Sequence, residues 1–326
     1  MTEWRCEIVK LGKIGKHPNA DSLSITHVYD GYPVIFRTGD YQEDDLAVYV
    51  PVDSIVPDTA EFVFLQGKRR IKAKKIRGIF SQGMLVKIPE HLKDVSKYPV
   101  GTVVSDEMKI VKDTSDEEVS TSSGGDAEKE PTHFNFIKYT DIEGLRRYKN
   151  VLVPGEEVVI TEKIHGTCSR FVHDGTRLWC GSRNQIKRED AGIHWWAVAQ
   201  KLNLEEKLKQ IPNTIVFGEI YGKSVQKLTY DTEKTFVVFD TYNTVTHTWN
   251  DWDKTVEIAD LIGLPTVPVL YRGPWSYEDC APLAEGKSTI ANHIKEGFVV
   301  KPVKERVEHV GRVIFKLIGQ EYLLWK

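Results

Sequence analysis

The chain has 326 residues and a formal net charge of −3, from 44 Lys+Arg against 47 Asp+Glu. Hydrophobic residues make up 40% and charged residues 28%, an ordinary globular balance, and at roughly 150 residues per domain the length suggests two domains. No apolar run approaches the ~20 residues a membrane helix needs, and the opening MTEWRCEIVK mixes acids with bases, unlike a secretory leader. Cys6, Cys168, Cys180 and Cys280 lie far apart with no C-x-x-C, which argues against a zinc ribbon or a disulfide framework and fits the reducing cytoplasm. With so little net charge the whole-molecule field is weak, so a nucleic-acid surface would have to be local.

The first hundred residues read as closely spaced strands. WRCEIVKLGKI, LSITHVYDGYPVIFRTG and LAVYVPVDSIV are rich in β-branched and aromatic residues and are punctuated by turn sequences. Asp30-Gly31 between two such runs predicts a hairpin. Short strands at this spacing point to an OB-like β-barrel over 1–110. Residues 111–132, VKDTSDEEVSTSSGGDAEKEPT, have too few apolar side chains to offset the entropy of ordering, and read as an acidic flexible linker. The rest, 133–326, mixes strands and helices and reads as an α+β domain. VVITEKI, TCSRFVH and RLWCGS are strands, the last two joined at Asp174-Gly175, with His173 expected in the turn. Residues 193–209 have a helical period, with His194, Trp195 and Trp196 as packing residues, and DWDKTVEIADLIG is a short helix ended by Gly263. TIVFGEIYG, TFVVFDTY, EGFVVK and RVIFKLI complete the strands, and Cys180 is expected to be buried.

The chemistry centres on Thr161-Glu162-Lys163-Ile164-His165-Gly166-Thr167. On an extended strand Lys163 and His165 share a face and Glu162 points away. That parity matters, because only about one lysine in a few thousand is neutral at pH 7 and a same-side carboxylate would hold the ammonium. A nucleophilic lysine needs desolvation or a nearby cation. Alone, K-x-H-G reads better as a surface lysine before a turn. It is followed, however, by Gly181-Ser182-Arg183-Asn184, then Phe217-Gly218-Glu219, then Phe236-Val237-Val238-Phe239-Asp240, then Glu296-Gly297-Phe298-Val299-Val300-Lys301, and finally Arg312-Val313-Ile314-Phe315-Lys316.

That order resembles the nucleotidyltransferase superfamily of ATP-dependent polynucleotide ligases and capping enzymes, and K-I-H-G resembles its RNA ligase branch. Lys16-His17-Pro18-Asn19-Ala20-Asp21-Ser22-Leu23 and Arg77-Gly78-Ile79-Phe80-Ser81-Gln82-Gly83-Met84 are similar to the OB-like domain of Deinococcus-type and Naegleria-type RNA ligases. The resemblance implies an OB-like barrel followed by a ligase-type nucleotidyltransferase domain. It implies ATP as adenylyl donor, Mg²⁺ or Mn²⁺, and an RNA substrate with 5′-phosphate and 3′-OH ends, a nicked duplex joined by a monomeric enzyme. Catalytic roles fall on Lys163, His165, Glu219, Glu296 and Lys316, with Glu219 and Glu296 holding the metal. ATP or AMP contacts fall on Glu162, Lys163, Ile164, Arg183, Phe239, Asp240, Lys301, Arg312 and Lys316, with Phe239 packing on adenine and Lys301 and Lys316 neutralising the α-phosphate. A DNA ligase, a capping guanylyltransferase or a decayed, non-catalytic RNA-binding relative are the alternatives.

Three positions depart from the family pattern. Ile314 stands where a second lysine of K-x-K is usual, with Arg312 nearby. Cys168 stands where related RNA ligases often have Asn. Glu296 and Lys301 would lie on opposite faces of a regular strand, so an irregularity is expected near Gly297. Separately, Lys68, Arg69, Arg70, Lys72, Lys74, Lys75 and Arg77 place seven bases in ten residues with no acid, a run suited to tracking RNA phosphates, for which the acidic linker would compete.

Overall fold

The computed structural model describes residues 4–114, 136–189 and 194–326. They divide into one unit of 4–114, 143–149 and 323–326, and another of 136–142, 150–189 and 194–322. From 115 onward the acidic stretch lies outside the described residues. Its first residues are not linker: Val111–Lys112 pairs with Ser54–Ile55, and Asp113 lies 2.5 Å from Arg70.

The first unit is mostly short antiparallel strands, with 3-10 turns at Ala60–Leu65, Glu90–Leu92 and Leu145–Arg147. Leu46–Val50 is flanked by Glu7–Lys10 and Met84–Lys87, and Leu23–Val28 by Gly15–Lys16 and Tyr32–Arg37. Alternation sends Ile8, Val48, Val50 and Val86 into one cluster and Val9, Ala47, Tyr49 and Leu85 into another. The hairpin loop is Tyr29-Asp30-Gly31, with Tyr29 and Asp30 both at positive φ. The two stretches singled out by resemblance meet here. His17, buried, accepts from the Asn19 amide at Nδ1 and donates from Nε2 to the Ile76 carbonyl, while the Asn19 side chain donates to the Arg77 carbonyl. They clasp the tight Arg77-Gly78 turn between Lys74–Ile76 and Ile79–Ser81.

The seven bases of the run are exposed at every position but one. Lys68, Arg69, Lys72, Lys74, Lys75 and Arg77 are exposed. Arg70 is half-buried and turns to Asp113 and Asp53, so its charge is neutralised within the unit.

The second unit is built on two antiparallel sheets. Within it, one sheet has the order Phe315–Ile318, Gly297–Pro302, Glu157–Glu162, Val269–Pro274. The other runs Leu178–Ser182, Thr167–His173, Thr214–Tyr221, Thr235–Asn243, Thr248–Trp249. Even residues of Thr214–Tyr221 (Val216, Ile220) pack with Phe236 and Val238 against Trp195, Trp196, Leu204, Leu208 and Ile258 of the helices. Odd residues (Ile215, Phe217) share a cluster with Val299 and Ile314, so the two sheets face each other. The expected 193–209 helix is two helices, His194–Lys201 and Leu204–Leu208, because Asn203 sits at φ 51° between them. Trp252–Leu261 is helical and Gly263 follows at φ 61°. His173 is a buried strand residue rather than a turn residue; its Nδ1 accepts the Gly175 N–H and so caps the turn.

Candidate active site

The Lys163–Gly166 segment is the crossover from one sheet to the other. It leaves Glu157–Glu162 in the first and enters Thr167–His173 in the second. The Lys163 amide still donates to the Gly297 carbonyl at 3.0 Å, so the lysine is anchored at the strand's end. Gly166 is required by closeness: a Cβ there would lie 2.2 Å from the Ile220 carbonyl oxygen and 2.9 Å from Glu219 Cγ.

Glu296 enters from the neighbouring strand, and its placement depends on the irregularity expected beside it. Gly297 has φ +149°, and a Cβ would fall 2.1 Å from the Leu317 carbonyl oxygen, so only glycine permits this turn and approach. Glu296 Oε1 then lies 2.7 Å from Lys163 Nζ, and Oε2 lies 3.5 Å from His165 Nδ1. Glu219 sits on the opposing sheet, across from Cys168 and Val237, and its carboxylate takes a backbone hydrogen bond from Gly166. Lys163, His165, Glu219 and Glu296 are thus brought into one pocket, although the strand that was to align the first two stops at Glu162.

The electrostatics correct one expectation. Burial works to lower the Lys163 pKa, but the charges of Glu296 and then Glu219 outweigh it and hold the amine above its ordinary value. The protein alone therefore keeps Lys163 as an ammonium; the pocket is acid-rich, not cation-rich. Burial would raise Glu296, but Lys163 and His165 pull it down to about 2. Burial pushes Glu219 up to about 8, with Lys163 opposing only in part.

Two half-buried carboxylates, one short of positive charge, suit a divalent cation. Among the described residues no group of three or more His, Cys, Asp or Glu is arranged to hold a metal, so the remaining ligands would be water or phosphate oxygens, as Mg²⁺ prefers. A pH dependence follows for the cation-free protein. Glu219 has a folded pKa above its unfolded one, so its contribution to stability is full below about 4.3 and is lost as pH rises through about 8. Thermal melts in chelator from pH 5 to 9 should show the wild type losing ground against Glu219→Gln at the alkaline end; parallel curves would contradict the burial argument.

The other expected nucleotide contacts divide. Register places Val299 opposite Lys316 and Thr161, and Lys301 opposite Val159, so Lys301 and Lys316 share one sheet face, the face Lys163 would take were its strand to continue past Glu162. Lys301, however, is four residues along from the level of Lys163, roughly 13 Å. Its ammonium is buried against Asp240 (2.9 Å) and Glu305 (3.0 Å). Arg312 is buried too, 2.6 Å from Asp240 and 2.5 Å from Glu305, with its guanidinium 3.9 Å from the Trp249 ring centroid. These two cations and Asp240 form a closed structural network rather than a phosphate site, and Arg312 does not replace the missing lysine. Ile314 is core: burying it stabilises by roughly 2 kcal/mol, where a lysine would need a carboxylate partner.

Arg183 reaches back to the Thr140 carbonyl and pairs with Asp141, with 24% of its side chain exposed. Phe239 lies between the sheets with its ring tilted 4.7 Å from that of Tyr139. Glu162 points away from Lys163, as parity requires, and accepts from the Thr289 amide (2.8 Å) and hydroxyl (2.6 Å). Ile164 is buried in the core beside Tyr230 and Tyr322. Those two tyrosines were missed: the Tyr230 hydroxyl accepts from the His165 amide and that of Tyr322 is hydrogen-bonded to the His165 ring. Contacts across 65 and 157 positions leave no mark in a single sequence.

Comparison with known proteins agrees with this architecture. Residues 6–88 match an OB-fold domain, and residues 156–318 match the RNA ligase family. Solved structures similar to this chain include an apo mutant of the Naegleria gruberi RNA ligase (TM-score 0.84, 23% identity, 99% of this chain and 98% of that one). A mutant of that enzyme with ATP and Mn (TM-score 0.84, 22%, 98% and 98%) and the enzyme with PPi (TM-score 0.84, 22%, 99% and 98%) match equally. At this identity the likeness is one of fold. No curated protein matches the chain in sequence. Because the family match spans half of its 326 residues, the chain belongs to the RNA ligase family.

Proposed function

We propose that the chain is an ATP-dependent RNA ligase that joins 5′-phosphate and 3′-OH ends through a lysyl-AMP on Lys163. The observation that carries this is the convergence of Lys163 Nζ, Glu296 and Glu219 around the Gly166 crossover. ATP and Mn in the Naegleria structures support the choice of donor and metal. The Lys163 ammonium first gives a proton to water; the free amine attacks the α-phosphorus, a P–N bond forms, the P–O bond to pyrophosphate breaks, and the second proton of the nitrogen also passes to solvent. AMP then passes to the RNA 5′-phosphate, and the 3′-OH displaces it. Each step is an in-line displacement in which positioning and charge neutralisation supply most of the catalysis.

Glu219 and Glu296 would hold a divalent cation, Mg²⁺ or Mn²⁺, which when bound offsets phosphate charge and weakens the grip of the carboxylates on the Lys163 amine. Lys316, on the sheet face that Lys163 would take, steadies the α-phosphate, Arg183 contacts phosphate or ribose, and Phe239 packs on adenine. Lys68, Arg69, Lys72, Lys74, Lys75 and Arg77 follow the RNA backbone. The four free cysteines accord with a cytoplasmic enzyme, and we assign a nicked duplex as substrate and a monomer as the working form.

Sealing assays on nicked duplexes and on free single strands test this. Joined RNA should require ATP and Mg²⁺ or Mn²⁺ and should leave AMP; no joining on any substrate, or labelling by GTP instead, would overturn it. For the basic surface, the double variant K74E/K75E should bind RNA more weakly, with a log affinity–log salt slope shallower by roughly two. An unchanged slope would remove these residues from the interface.

A further inference from the structure

We infer that Tyr230 and Tyr322 are positioning residues for the adenylyl-transfer step, acting through His165. The inference rests on the ligase reading above. His165 lies in the crossover, beyond the last strand pair, so its backbone N–H has no partner in a sheet. The buried Tyr230 hydroxyl accepts it at 2.7 Å. Tyr230 is itself wedged edge-on against Tyr221 (5.1 Å between centroids) and His293 (4.5 Å). Its segment carries three non-glycine residues at positive φ, Ser224, Tyr230 and Asp231, and Gln226 of the same segment reaches the Gly166 carbonyl. Unfavourable backbone is thus concentrated in the chain that braces the crossover.

The ring of His165 is held from another direction. Nδ1 is hydrogen-bonded to the buried Tyr322 hydroxyl at 2.9 Å, and Nδ1 also faces Glu296 Oε2 at 3.5 Å. Three residues before Tyr322, the Gly319 amide donates to the Glu296 carbonyl at 3.0 Å. One short segment, 319–322, therefore braces both the backbone of Glu296 and the ring of His165. These two groups in turn fix the carboxylate that holds the Lys163 amine. Without the Tyr322 hydroxyl the imidazole can turn about its Cβ–Cγ bond, and Glu296 loses the second of its two side-chain partners. Tyr322 does not touch the reacting atoms; its effect on the amine passes through His165.

Single-turnover labelling with ATP and Mn²⁺ on wild type, Y322F, H165A and the double variant tests the inference. Y322F should slow labelling roughly tenfold, the scale of one hydrogen bond, with KM for ATP unchanged and the melting temperature lowered by only about 2–4 °C. In the H165A background Y322F should cost nothing further. Y230F should likewise lower kcat more than it changes KM. A full additional loss in the double variant, or a loss in KM alone, overturns the assignment. The ¹⁵N resonances of the His165 imidazole give a readout independent of activity: Y322F should move them, and unmoved resonances also refute the contact. If wild type takes no label while the resonances do move, the ligase reading fails and the transfer role with it, a result distinct from labelling that Y322F leaves untouched.

Discussion

Lys163→Ala should abolish the acid-labile adenylyl adduct, lowering its rate of formation by about 10⁴-fold or more, the scale of losing a covalent nucleophile. Alanine also strips Glu296 of its 2.7 Å partner and leaves a half-buried carboxylate uncompensated, so part of the loss would come from a disturbed pocket. Lys163→Arg separates the two effects. A guanidinium preserves positive charge beside Glu296 but is not deprotonated in proteins, so it cannot attack phosphorus. Both variants should be unlabelled, while the arginine variant stays closer to wild type in melting temperature. Label on Lys163→Arg at a hundredth of the wild-type rate or more would mean that another group is the nucleophile.

Asp240→Ala should strongly destabilise the second unit. Asp240 is fully buried and meets Lys301 at 2.9 Å, Arg312 at 2.6 Å and the Tyr139 hydroxyl at 2.9 Å. Burial alone would raise its pKa, but Arg312 and Lys301 outweigh that and hold it below the ordinary carboxylate range. Removing it leaves two buried cations to share Glu305. Breaking such a network costs about 3–5 kcal/mol, which in a unit of this size lowers the melting temperature by roughly 10 °C. Asp240→Asn keeps the shape and loses the charge, and should fall most of the way toward the alanine variant. Wild-type melting of Asp240→Ala would show that the network contributes nothing to the fold. Below its melting temperature Asp240→Ala should still take up label at Lys163, because the network lies about four residues along the sheet from the amine.

What could be read in the sequence was the order of the motifs and the local demands of glycine. Gly166 and Gly297 frame the pocket, and the irregularity expected near Gly297, because Glu296 and Lys301 would lie on opposite faces of a regular strand, is present as a φ of +149°, although Lys301 does not join Glu296 in the pocket. Strand alternation likewise showed which side Glu162 takes. The partners that come from distant strands were not legible. Parity removed Glu162 from the lysine but said nothing of Glu296, 133 positions on, which restores the carboxylate the argument had set aside. Lys301 and Arg312 read as phosphate contacts because the acids that neutralise them, Asp240 and Glu305, are set by tertiary packing. Arg70 was lost from the basic run in the same way, to Asp113. Helical period over 193–209 was genuine on both sides of Asn203, but a single left-handed residue broke it in two.

One amine, Lys163 Nζ, should capture the adenylyl group. Peptide mapping by mass spectrometry of the wild-type protein after incubation with ATP and Mn²⁺ tests it most directly. One adenylyl group, lost on mild acid treatment, should sit on the peptide containing Lys163 and on that side chain. An adduct on any other residue, or a folded protein that never acquires one, would contradict it.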